Sequence, residues 1–147
     1  MISFAEALTL VLEATPPLPA CDVTLADAVS RALAEDVRAD QPVPGFDTTA
    51  MDGWAVRAAD VSRAPTLLAA AGVSGAGSVP GALAPGAAWK VMTGAPMPPG
   101  SDAVVPVEEA GAAQGGAVRI DAVPRPGAHV RRRGEVFETG TLVLPAG

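Results

Sequence analysis

Apolar positions along this 147-residue chain follow two regimes. Before Asp40 they repeat at helical spacing. Ala7, Leu8, Val11 and Leu12 form one stripe, opened by Ser3 and Glu6 at capping-box spacing and closed by Pro16 and Pro17. Leu25, Ala28, Val29, Ala32 and Leu33 form a second, opened by Thr24 and Asp27 and running to about Asp36. Both stripes are expected to face a core. From Asp40 onward, short apolar runs recur between Gly/Pro turns: Trp54–Val56, Thr66–Ala71, Ala88–Met92, Ala103–Val107, Ala117–Ile120 and Thr141–Leu144. Such runs predict the strands of a compact β domain. Segment 110–117 (AGAAQGGA) predicts a hairpin loop joining VVPVEE to VRIDA, with Gly115 and Gly116 at positive φ. The fold class expected is α+β, mainly β. The domain layout expected is a helical segment over 1–41, a β domain over 42–140 and the start of a return strand over 141–147. A last strand ending on Pro145-Ala146-Gly147 reads as a chain that is truncated.

Composition narrows the function classes. A hydrophobic content of 49% is ample for a core, although only 3% is aromatic. The net charge of −6 argues against sequence-independent binding to a phosphate backbone, so no nucleic-acid partner is expected. Cys21 is the single cysteine and His129 the single histidine, which excludes an internal disulfide, a zinc cluster or a Ser-His triad built within the chain. Cys21 is expected to pack as a small apolar residue beside the second helix. Residues 64–89 carry no charge, but prolines and glycines break that run too often for a lipid-spanning helix. The opening MISFAEALTL does not read as a signal peptide, and a cytoplasmic location is expected.

Three loops concentrate the polar chemistry. The first, PVPGFDTTAMDGWAVR over 42–57, gathers Asp47, Asp52, Thr48 and Thr49 between the bending glycines Gly45 and Gly53. Its hard oxygen donors suit Mg²⁺, which takes one or two carboxylates and leaves other positions to water and substrate phosphate. The competing reading is that Asp47 and Thr48 close an Asx-type turn. The second, MTGAPMPPGSDAVV over 92–105, offers a Thr93 hydroxyl and backbone N–H groups to an anion, or else is a Pro-rich turn with Thr93 satisfied locally. The third, PGAHVRRRGE over 126–135, carries three consecutive arginines, whose guanidinium groups match phosphate and carboxylate. On an extended chain Arg131 and Arg133 would share one face and Arg132 the other. The competing reading is a solvated edge pairing with Glu135 and Glu138. Lys90 is expected to snorkel from a strand, and Asp102, Glu108 and Glu109 to solvate strand ends.

PGFDTTAMDGWAV, then KVMTGAPMPPGSDAVVPVEE, then RRRGE followed by TLVLPAG resemble the N-terminal half of the molybdopterin molybdenumtransferases, the MoeA family that includes the E-domain of gephyrin. LADAVSRALAEDV also fits that family's opening segment. The resemblance is collinear over essentially the whole chain. It implies N-terminal helices followed by a domain of coiled, bifurcated β-sheets. It also implies a homodimer that inserts the small-molecule substrate molybdate into adenylylated molybdopterin with Mg²⁺, completing the molybdenum cofactor. By the same resemblance the functional aspartate falls on Asp52, which would also be the metal ligand, and the functional threonine on Thr93. The arginine run falls on Arg131, Arg132 and Arg133, of which Arg131 and Arg133 are assigned to the cofactor phosphate. Two departures stand out: Thr48 and Thr49 replace the usual residues after the first aspartate, and Val136 stands where an acid is common. The family's pterin-binding domain would lie after residue 147, so this chain alone is expected to be inactive. The alternative is a non-catalytic dimerisation and linker module that keeps the motifs by descent.

Overall fold

The computed structural model of the protein describes residues 2–147. The chain divides into two compact units: one takes the chain up to Val37 together with Leu142–Gly147, the other is Arg38–Thr141.

The first unit holds one α-helix, α1 (Phe4–Ala14). Its start is the expected capping box: Ser3 Oγ accepts the Glu6 N–H at 3.2 Å, and the Glu6 carboxylate accepts the Ser3 N–H at 2.7 Å. The second predicted helix does not form. Thr24 caps a single 3₁₀ turn over Leu25–Ala28, and Ser30 then turns left-handed at φ 65°. Its stripe is rich in alanine, leaving Leu25 and Val29 exposed at 91% and 77%. The turn's start carries a single side-chain cap, the Thr24 hydroxyl on the Asp27 N–H, without the reciprocal bond that completes the box of α1. The stripe of α1 likewise buries no residue, so neither stripe faces a core here. Cys21 is exposed rather than packed, because the helix it was to lie beside is absent. Val37 opens the short strand β1 (Val37–Arg38), and Leu142–Leu144 form β10.

The second unit is the β domain. Its strands in chain order are β2 (Thr48–Thr49), β3 (Gly53–Val56), β4 (Thr66–Ser74), β5 (Ala87–Val91), β6 (Ala103–Pro106), β7 (Ala110–Ala112), β8 (Ala117–Ile120) and β9 (Val130–Arg131). Six of them form one sheet in the order β6-β3-β5-β4-β8-β7, antiparallel except for the parallel pair β4–β5. The long connection over 75–86 that returns the chain to lie parallel is of the length such a crossover needs. The hairpin differs from expectation in one arm. Gly115 and Gly116 do take positive φ, at 71° and 75°, but they join β7 to β8. VVPVEE is instead β6 followed by a 3₁₀ turn over Val107–Glu109, at the opposite edge of the sheet.

Alternate residues of β3 and β6 enter two cores. Val56, Val105, Leu68, Val118 and Ile120 fill one, while Ala55, Val104, Val91 and Ala95 fill the other, with Met97 and Val130 packed against it. A period of two that buries both faces explains why all four residues of β6 are inaccessible. The second core matters most for function. Ala95, Met97 and Val130 come from the loops over 92–105 and 126–135, so the sheet anchors those loops through their apolar residues.

Candidate functional site

The three polar loops converge. The strand β2, inside the first loop, pairs antiparallel with β9 of the third, placing Thr48 opposite Arg131 and Thr49 opposite Val130. The second loop is laced to the first by main-chain bonds: Thr49 N–H to Ala95 O at 3.0 Å, Gly94 N–H to Thr49 O at 2.9 Å and Met97 N–H to Asp47 O at 3.0 Å. The Ala50 N–H reaches His129 O at 2.9 Å, tying the first loop to the third again.

Within this junction the Thr49 hydroxyl serves structure. Thr48 and Thr49 are buried, at 7% and 1% exposure. Thr49 Oγ1 donates to Met51 O and accepts the Met51 N–H, closing a turn that delivers Asp52 to the surface. The Thr49 hydroxyl is thus committed to the chain, whereas Thr48 lines a cavity beside Arg131. Asp47 does not close an Asx-type turn: its carboxylate reaches Arg132 and Arg133 in the third loop.

Asp52 and Thr93 form the exposed corner of the junction. Asp52 Oδ1 accepts both the Thr93 N–H and the Thr93 hydroxyl, each at 2.7 Å. Thr93 is therefore satisfied by a residue 41 positions away rather than locally. These two bonds, with a smaller contribution from the Lys90 cation, hold the Asp52 carboxyl below the usual range for aspartate. Lys90 lies on β5 opposite Trp54 of β3, which is why its charge is felt at Asp52. The corner is an ionised, solvent-facing carboxylate with one oxygen engaged by protein donors. Among the described residues no cluster of three or more His, Cys, Asp or Glu side chains is placed to hold a metal. A single exposed carboxylate nevertheless suits Mg²⁺ when water and substrate phosphate complete the shell.

The arginine run is not an extended segment. β9 ends at Arg131, Arg133 enters a turn, and buried Gly134 takes φ 76°. The alternating-face argument therefore fails beyond Arg131. Arg132 Nη1 pairs with Asp47 Oδ2 at 2.6 Å, and the Arg132 and Arg133 main-chain N–H groups go to Glu135 and Asp47. Arg131 lines a cavity of about 410 Å³ with Val43, Pro44, Thr48, Glu135 and Val136. The pairing of Asp47 with the run was missed from sequence; the only signal was an acid in one loop and excess base in another. Asp102 was also misjudged: its Oδ1 accepts the Ala58 N–H at 2.7 Å and caps the 3₁₀ turn after β3.

Comparison with known proteins decides the family. Residues 2–147 match the family model described as the MoeA N-terminal region, domains I and II. The chain belongs to the MoeA family. It is 36% identical to the molybdopterin molybdenumtransferase of Haemophilus influenzae and 41% identical to molybdopterin molybdenumtransferase 2 of Mycobacterium tuberculosis H37Rv. The matches cover 100% of this chain but only 37% of each relative, so the chain corresponds to the N-terminal part of this family's proteins. The crystal structure of the molybdopterin biosynthesis moeA protein from Pyrococcus horikoshii superposes with a TM-score of 0.91 at 33% identity. That match covers the whole of this chain and 40% of the other. The fold expected from the resemblance, mainly β with a coiled sheet, is the fold observed, with one helix in place of two.

Proposed function

We propose that this chain is the N-terminal part of a molybdopterin molybdenumtransferase, and that its three-loop junction forms one wall of the site where molybdate is inserted into adenylylated molybdopterin. The observation that carries this reading is the Asp52–Thr93 corner. Two loops far apart in sequence, each tied to the β-sheet by its apolar residues, meet on an exposed ionised carboxylate, and an arginine-rich turn is laced into the same junction. Asp52 would hold Mg²⁺, with Thr93 fixing the rotamer of its carboxylate through two hydrogen bonds to Oδ1. The ion would neutralise charge on the substrate phosphates and the oxyanion. Arg131 and Arg133 would bind the same phosphates through charge-assisted hydrogen bonds. None of these residues acts as a nucleophile; the chain's part is to bind, orient and balance charge. The assembly is a homodimer in the cytoplasm.

Formation of molybdenum cofactor from adenylylated molybdopterin, molybdate and Mg²⁺ tests the reading. The chain alone should give no product, and the same chain joined to a relative's pterin-binding domain should give it. Product from the chain alone would overturn the division of labour, and none from the joined protein would overturn the function.

A further inference from the structure

Asp47 contacts both of the other loops, and through its side chain grips the third. Its carbonyl accepts the Met97 N–H of the second loop at 3.0 Å. Its carboxylate reaches the third: Oδ1 accepts the Arg133 N–H at 2.8 Å and Oδ2 accepts Arg132 Nη1 at 2.6 Å. The turn it grips is specified independently. The Arg132 N–H goes to Glu135 Oε2 at 2.9 Å, and the Gly134 N–H goes to Pro44 O at 2.9 Å. Gly134 takes φ 76°, a left-handed backbone that favours glycine and fixes the turn. With Arg132 committed to Asp47, the side chains of Arg131 and Arg133 carry no ion pair or hydrogen bond among the described residues.

We propose that Asp47 is a positioning residue: it locks the arginine turn against the Asp52–Thr93 corner and sequesters Arg132, so that Arg131 and Arg133 are the two cations left for a phosphate-bearing ligand. This rests on the function proposed above for its ligand, though not for its geometry. Exposed ion pairs add little to global stability. The effect of Asp47 is therefore local order, and Arg132 acts only through Asp47.

Two measurements test this. The first is amide hydrogen exchange in the 147-residue chain. Asp47→Ala should speed exchange of the Arg133 N–H by roughly tenfold or more while the Val104 and Val105 amides of β6 keep their protection. Asp47→Asn, which retains an acceptor at Oδ1, should restore most of the Arg133 protection. The second is steady-state kinetics in a complete molybdenumtransferase carrying this chain. Asp47→Asn and Arg132→Ala should each raise KM for adenylylated molybdopterin by a similar factor with kcat held, and the double variant should be no worse than either. An unchanged Arg133 exchange rate in Asp47→Ala overturns the proposal. So does loss of protection in β6 together with Arg133, which would make Asp47 a general stabiliser. Additive effects of Asp47→Asn and Arg132→Ala overturn the claim that Arg132 acts through Asp47. Absence of transfer by the unmutated complete enzyme would count against the proposed function alone, and the exchange result would still decide the role of Asp47.

Discussion

The two aspartates of the first loop, five positions apart, have been given different work by their neighbours. Asp47 faces backbone and guanidinium donors from the third loop and links segments together; Asp52 hydrogen-bonds Thr93 through Oδ1, feels the Lys90 charge and lies exposed to solvent. Both carboxyls are held below the ordinary aspartate value of 3.8, Asp47 chiefly by the Arg133 N–H and Asp52 chiefly by the Thr93 N–H. A depressed folded value means that whatever each contact contributes is fully present above the unfolded value, and is lost as pH falls through the folded one. Titration followed by carboxyl NMR should give both midpoints below 3.8, and a midpoint at or above it would remove the hydrogen-bond account. Activity near neutral pH should accordingly show no acid limb from either group. Charge and shape are separable at Asp52, because asparagine keeps an acceptor at Oδ1 for Thr93. Asp52→Asn in a complete enzyme should abolish most activity with the thermal midpoint unchanged. Wild-type turnover in that variant would leave Asp52 with no role beyond holding Thr93.

At the scale of elements, what holds the corner in place is the close approach of β3 and β6. Gly53 is buried on β3, and a Cβ there would run into the Val105 carbonyl and lie 2.9 Å from Val104 Cγ1. A carbonyl in a ladder cannot step aside, so Gly53→Ala should cost about 1–3 kcal/mol, read as a lower urea midpoint. Gly72→Ala meets the half-buried Trp89 indole instead, which a side-chain shift can relieve, so its loss should be the smaller of the two. The strands themselves were legible because their period of two and their turn residues are local properties. Five of the six runs lie within two residues of observed strand ends; Thr66–Ala71 stops short because β4 continues through the glycine at 72 to Ser74. The second helix was misread for the opposite reason. Its spacing states which face would be buried but does not foretell that the chain turns left-handed at Ser30. The site shows the same boundary. Asp52 and Thr93 were reached through resemblance to a family, whereas the Asp47–Arg132 pair, 85 residues apart, has no local signature at all.

At the scale of the whole molecule, the two units differ in how their apolar residues are used. The β domain closes two cores with side chains such as Ile120, Val56 and Val91 wholly inaccessible. The first unit has a regular, well-capped helix whose stripe is open, with Leu8 46%, Val11 61% and Leu12 64% exposed. Local signals therefore suffice to build α1, since its capping box and its alanine and leucine content favour helix without tertiary contacts. The same chemical deletion should then have very different consequences in the two units. Leu68→Ala removes a side chain that is 4% exposed inside the core of the β-sheet, and should destabilise the chain by about 2–5 kcal/mol. Leu12→Ala trims an exposed residue and replaces it with a better helix former, so its effect should stay within about 0.5 kcal/mol. Urea unfolding followed by Trp54 and Trp89 fluorescence, which reports on the β domain, measures the first. Far-ultraviolet circular dichroism, which registers α1, measures the second. A Leu12→Ala loss comparable to that of Leu68→Ala would mean that α1 is packed in solution and that its stripe has a partner.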